Sequence, residues 1–229
     1  MKLLIGNKCY SSWSLRAWLL LAAKEIPFEE VLVLLDEPGF KEAIYAHAPR
    51  SGGTVPTLSD GEVAVWETLA IAEYLHERFP ERGIWPGDVA ARAHARAVSS
   101  EMHAGFQALR GACPMNLGKR YAARDRGPDV ARNVARISAI WREARSRFGE
   151  TAGGPFLYGE FCAADAMFAP VVARLDTYAI PVDADAAAYM QAVLGLPAYR
   201  QWLEAALKER WIVAADEVDE PAIANLRSN

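Results

Sequence analysis

The chain has 229 residues, of which 52% are hydrophobic and 24% charged, with a formal net charge of −4. This is the composition of an ordinary globular protein, long enough for one large domain or two modest ones, and it excludes a basic face for nucleic acid. No apolar run reaches the roughly 18 residues a membrane span needs, and the N-terminus lacks the charged, apolar, small-residue order of a leader, so a cytoplasmic protein binding neither nucleic acid nor membrane is expected.

In chain order, KLLIG reads as a short strand, and Ser14 to Lys24 as a helix with Leu15, Trp18, Leu19 and Ala22 on one face. FEEVLVLL is a second strand, and EPGFKEAIYAHAP a broken, partly helical stretch. TVPTLSDGEVAVWE gives two short strands around Asp60 and Gly61, a hairpin signal, and Thr68 to Arg78 is a helix striped by Leu69, Ala72 and Leu75. A strand, helix, strand unit demands a parallel pair, because the crossover returns the chain to the same end, while the hairpin adds antiparallel strands. The order β-α-β-α-β-β-α therefore predicts a mixed sheet of about four strands with helices on its faces. FPERGIWPGD, rich in proline and glycine, reads as a linker. From Val89 the chain turns alanine-rich and helical almost to its end. The expected organisation is an α/β domain over 1–79, a linker over 80–88 and an all-α domain over 89–229.

Few residues carry familiar chemistry. The three cysteines (Cys9, Cys113, Cys162) form neither a disulfide framework nor a CxxC motif, and the four histidines have no ligand spacing, so no metal is expected. CYSSWSLRAWLLL, from Cys9 to Leu21, places a thiol, a phenol and three hydroxyls where a strand hands over to a helix. A helix cap explains one of those serines, not three. Pro56 lies inside an apparent strand, where it removes a ladder donor. Glu67 and Thr68 open a helix, whose free N–H groups and partial positive charge suit a carboxylate; Thr68 can also be a plain N-cap.

Three stretches in order, YSSWSLR at Tyr10–Arg16, GTVPTL at Gly53–Leu58 and WETLAIAEYL at Trp66–Leu75, together resemble the cytosolic glutathione transferases, with a weaker fourth at Phe156–Pro170. The resemblance runs over almost the whole chain. It implies a thioredoxin-like N-terminal domain that binds glutathione and an all-α C-terminal domain that forms the site for a small electrophilic substrate. Pro56 would follow a cis bond, Val55 would pair its backbone with the cysteinyl part of glutathione, Glu67 would take the γ-glutamyl ammonium and Thr68 its α-carboxylate. The serine pattern resembles the zeta class, with Ser11 aligned on the catalytic hydroxyl and Ser12 as the second choice. A free thiol ionises near about 8.5, and lowering that by about two units needs roughly 2.7 kcal/mol, within reach of one charge-assisted hydrogen bond and a helix N-terminus. The resemblance also implies a homodimer, through Glu101, and a role in detoxification.

Alternatives stay open. Cys9-Tyr10-Ser11-Ser12 reads as CxxS, the pattern of a glutathione-dependent thiol-disulfide reductase using Cys9. Tyr10 could be a phenolic donor. A maleylacetoacetate-type isomerase is a third reading, although Trp13 stands where that class has cysteine, and its substrate arginine aligns with Thr177, Arg174 lying one turn earlier. A non-catalytic glutathione-binding module is a fourth. His103, Phe106, Gln107, Arg110 and Met115 are candidates for the second-substrate pocket, and Lys41 or Arg50 for the glycyl carboxylate. Cys162 replaces the hydroxyl of the family's capping box, leaving Asp165.

Overall fold

The structure, a computed structural model, describes residues 1–227. Four strands form one sheet in the order β2-β1-β3-β4: β1 (Lys2–Ile5), β2 (Glu29–Leu32), β3 (Thr57–Asp60) and β4 (Val63–Trp66). The β1–β2 pair is parallel, from Lys2↔Glu29 to Ile5↔Leu32, and is bridged by helix α1 (Ser12–Ala23). β3 and β4 are antiparallel and joined by the tight turn at Gly61, whose φ of +61° a residue with a Cβ adopts only at a cost. Helix α2 (Phe40–His47) precedes β3, and α3 (Thr68–Arg78) follows β4. The thioredoxin-like βαβ plus hairpin expected from the sequence is this sheet.

After a 3-10 turn at Pro80–Arg82 the chain is helical: α4 (Val89–Ala104), α5 (Gln107–Ala112), α6 (Pro128–Ala144), the short α7 (Glu150–Ala152), α8 (Ala163–Thr177), α9 (Ala184–Gly195) and α10 (Pro197–Leu207). Two features lie beyond the sequence reading. The helical stretch that opens at Val89 breaks at Gly105 and Phe106, where Phe106 sits at φ +60° and a Cβ on Gly105 would stand 2.7 Å from the Glu101 carbonyl oxygen. The helical half also carries a two-stranded antiparallel ribbon of β5 (Lys119–Tyr121) and β6 (Ala222–Asn225), which pairs the C-terminal segment with the stretch between α5 and α6. No described helix is long and apolar enough to cross a membrane.

Two helices hold the halves together. In α1 every residue from Ser14 to Leu21 is buried, not one face alone, because the sheet covers one side and α8 and α10 the other. In α8 all residues but Asp176 are buried, which suits its near-continuous alanine, valine and phenylalanine. The α8 start is tied by Asp165, whose carboxylate accepts from the N–H of Cys162 at 2.9 Å, the N–H of Leu157 at 3.1 Å and the Tyr189 hydroxyl at 3.1 Å. Burial nonetheless raises the Asp165 pKa above its ordinary value. Arg16 of α1 donates through Nε to the Met167 carbonyl of α8 at 3.0 Å, so the interface fixes where α1 begins.

Candidate functional site

A cleft of about 490 Å³ opens between the two halves. Its N-terminal wall is Trp13 of α1, the loop Thr54–Val55–Pro56 and the start of α3 at Glu67 and Thr68. The Val55–Pro56 peptide is cis. Glu67, the residue ahead of α3, lies at φ +67° and ψ 126°, an unusual conformation for a residue with a Cβ, and it leaves the first turn of α3 without a side-chain cap. The Thr68 hydroxyl beside it is buried and has no hydrogen-bond partner among the described residues. A buried hydroxyl without a partner is uncommon in native structures.

The helical half supplies His103, Gln107 and Arg110. His103 Nε2 stands 3.7 Å from the Glu67 carboxylate, while its Nδ1 is buried without a partner among the described residues, and its ring meets Trp13 edge-on at 5.0 Å. Two guanidiniums approach the Trp13 ring, Arg16 at 4.1 Å and Arg110 at 5.0 Å from its centre. Neither arginine meets a carboxylate within salt-bridge distance among the described residues. Burial lowers both guanidinium pKa values, with Arg174 and Arg110 adding repulsion at Arg16. Trp13, His103 and Arg110 together give this side of the cleft an aromatic and a cationic group.

The serines stand at the start of α1, and neither lines the cleft. Ser11 caps the helix: its Oγ accepts from the Ser14 N–H at 3.3 Å and lies 2.7 Å from Ser14 Oγ. Ser14 Oγ in turn accepts from the Gly6 N–H at 3.0 Å. Ser12 is half-buried in the first turn of the helix.

Cys9 and Tyr10 are turned into the protein. Cys9 is fully buried, with its thiol 3.8 Å from Asn116 Oδ1 and 3.3 Å from Arg227 Nη2, and burial raises its pKa. The Tyr10 hydroxyl donates to Glu217 at 2.6 Å and accepts from Arg227, and burial with the Glu217 hydrogen bond pushes its pKa up as well. Glu209 accepts from the backbone N–H groups of Lys8 at 2.8 Å and Cys9 at 3.1 Å. The reductase reading required an accessible, low-pKa thiol at Cys9, and the phenolic reading a free Tyr10 hydroxyl. Both groups are sealed behind the C-terminal segment.

The weaker candidates divide. His103, Gln107 and Arg110 line the cleft, whereas Phe106 and Met115 belong to the core. Glu101 forms a two-point pair with Arg136 of α6 at 2.7 and 2.8 Å. Lys41 and Arg50 are exposed and outside the cleft. Arg174 donates to the backbone carbonyls of Cys113 and Pro170 within the core, and Thr177 to that of Asn116, so Arg110 is the guanidinium that reaches the cleft. Thr54 and the link between Ser14 and Gly6 were missed, since neither belongs to a pattern visible along the chain.

A parallel–antiparallel sheet with a cis-proline loop beside a helix N-terminus, joined to a helical half, defines a two-domain protein of the thioredoxin-like type. Residues 10–78 match the family model described as glutathione S-transferase, N-terminal domain. A zeta class glutathione S-transferase of Euphorbia esula is 28% identical over 160 residues, 69% of this chain and 70% of that protein. A probable maleylacetoacetate isomerase of Caenorhabditis elegans is 39% identical over 100 residues, 43% of this chain and 45% of that one. Among solved structures, a glutathione transferase homologue from Burkholderia gl BGR1 with bound glutathione superposes with a TM-score of 0.65 at 22% identity, over 90% of this chain and 96% of its own. A maleyl pyruvate isomerase, described as a bacterial zeta-class glutathione S-transferase, gives 0.63 at 24% identity, over 90% and 98%. Residues 10–78 thus carry a glutathione S-transferase N-terminal domain, and the chain as a whole is similar to zeta-class glutathione transferases and shares the glutathione transferase fold.

Proposed function

We propose that the protein is a glutathione transferase that binds glutathione in the cleft and presents its thiol as a thiolate to small hydrophobic electrophiles. The unpartnered Thr68 hydroxyl carries this reading. It sits at an uncapped helix N-terminus, opposite the cis Val55–Pro56 loop, and an α-carboxylate would satisfy both the hydroxyl and the first-turn N–H groups. Glu67, exposed at the cleft edge, would take the γ-glutamyl ammonium, and the Val55 backbone would pair with the cysteinyl residue.

Ser11, with Ser12 as the second choice, donates to the sulfur and lowers its pKa; the thiol proton leaves to solvent. The thiolate then attacks the electrophilic carbon, a C–S bond forms and the leaving group departs with its electron pair. Serine acts as donor throughout, so no base partner is required. Trp13, His103 and Arg110 form the wall against which the electrophile lies. A cytoplasmic homodimer engaged in detoxification accompanies this reading.

The decisive experiment follows conjugation of glutathione to an aryl halide, with calorimetric titration of glutathione into wild type and Thr68→Val. Turnover in the wild type with weakened binding in the variant supports the proposal; tight binding without turnover of any electrophile leaves the binding-module reading in its place. Glutathione-dependent isomerisation is a second reading, favoured by the Arg110 guanidinium, which could hold a substrate carboxylate in the cleft. Isomerisation of a cis-enedione acid at a rate exceeding conjugation would move it to first place.

A further inference from the structure

We infer that Ser14 is a positioning residue that fixes the direction in which the Ser11 hydroxyl donates. The inference rests on the transferase reading with Ser11 as donor. Ser14 is fully buried, and its Oγ has two partners, the Gly6 N–H at 3.0 Å and Ser11 Oγ at 2.7 Å. Ser11 Oγ also accepts the Ser14 N–H at 3.3 Å.

Each hydroxyl has one proton and two lone pairs, so the 2.7 Å contact can run either way. If Ser11 donates, Ser14 Oγ accepts twice and its own proton is left without an acceptor, in a position with no access to water. If Ser14 donates, its proton is used, both lone pairs of Ser11 are filled, and the Ser11 proton is free. The second arrangement places the proton without an acceptor on the less buried of the two serines. Ser11, 7% exposed, is the outer member of the pair. Its free proton is therefore the one available to a bound sulfur. The result is a directed chain, Gly6 N–H to Ser14, Ser14 O–H to Ser11, Ser11 O–H to thiolate, in which each bond polarises the next. Capping uses only a Ser11 lone pair, so the cap and the donor are one side chain.

The test is the thiolate absorbance of glutathione bound to the full chain, recorded against pH for wild type, Ser11→Ala, Ser14→Ala and the double variant, with glutathione Kd measured in parallel. Ser14→Ala is expected to lower the thiolate fraction about threefold below the midpoint, with Kd within twofold of wild type. The double variant is expected to match Ser11→Ala alone, because the second hydroxyl acts only through the first. Ser14→Cys, close in size but a poor donor, repeats the measurement should the alanine variant not fold. A thiol pKa unmoved by either Ser14 substitution while Ser11→Ala shifts it, or additive effects in the double variant, overturns the inference and leaves the transferase reading standing. A wild-type thiol pKa at its free value overturns both.

Discussion

Residues 9 and 10 and residue 13 lie close in sequence, yet they border two regions of opposite character. On one side Cys9 and Tyr10 are enclosed by Asn116, Glu217 and Arg227, and the Cys9 thiol and Tyr10 hydroxyl both have partners. On the other, Trp13 faces a cleft where the Thr68 hydroxyl and His103 Nδ1 are buried without partners. Satisfied polar groups in a sealed cluster stabilise the fold; unsatisfied ones around a cleft are stabilised by what enters it. Chemistry-bearing residue types occur on both sides, so residue type alone does not locate the site.

Four measurements sharpen or break this contrast. Ser11→Ala should lower kcat/KM for conjugation about 25-fold at neutral pH, the loss of thiolate when the thiol pKa returns from about 6.5 to about 8.5. A change under threefold, alongside a large loss in Ser12→Ala, would transfer the role to Ser12. Thr68→Val, which keeps the shape and deletes the hydroxyl, should raise the glutathione Kd about tenfold, read by calorimetry. An unchanged Kd would place the carboxylate elsewhere.

On the sealed side the expected effect is on stability. Glu217 accepts from Tyr10 at 2.6 Å, Asn116 at 3.1 Å and Lys119 at 2.5 Å. Glu217→Gln should cost about 2 kcal/mol in denaturant unfolding at neutral pH, with glutathione Kd within twofold of wild type. Burial pushes the Glu217 carboxyl up, but the hydrogen bonds from Lys119 and Tyr10 outweigh it and hold the pKa below its ordinary value. A carboxylate depressed in the folded state stabilises it above the unfolded pKa, and that stability disappears as pH falls through the folded pKa. The gap between wild type and Glu217→Gln should therefore be full at pH 7 and close below about pH 4. A pH-independent gap would mean that the loss comes from packing instead.

The smallest effect expected is on thiol reactivity. Cys9, Cys113 and Cys162 are buried, and burial raises all three pKa values, that of Cys113 to about 11. An aromatic disulfide reagent should label none of them in the folded protein at pH 7.5 on the timescale of minutes, and Cys9→Ser should leave conjugation unchanged. Rapid labelling at Cys9 would reopen the reductase reading.

Much of the fold was legible in the sequence because it rests on local signals. Alternation in KLLIG and FEEVLVLL, the turn at Gly61 and the helical stripe over Thr68–Arg78 each report on a few consecutive residues. The candidate glutathione residues Val55, Pro56, Glu67 and Thr68 were legible through motif resemblance, and the structure brings them to one cleft. The break at Gly105–Phe106 was not, since alanine-rich sequence continues across it and the backbone contact that excludes a Cβ becomes visible only in three dimensions. The ribbon of β5 and β6 was hidden for a similar reason: its strands lie about a hundred residues apart and are too short to show a period.

The sequence by itself determined the order of elements in the N-terminal half, the helical character of the remainder and the motifs that carry the resemblance, because helix period, turn chemistry and short motifs are properties of adjacent residues. Tertiary structure alone decided which groups are left to react. Glu209 and Arg227 reach Lys8, Cys9 and Tyr10 from some two hundred residues away, and α8 buries the far side of α1. Burial and hydrogen bonding set whether a thiol or hydroxyl is available, and both depend on what the rest of the chain places around it.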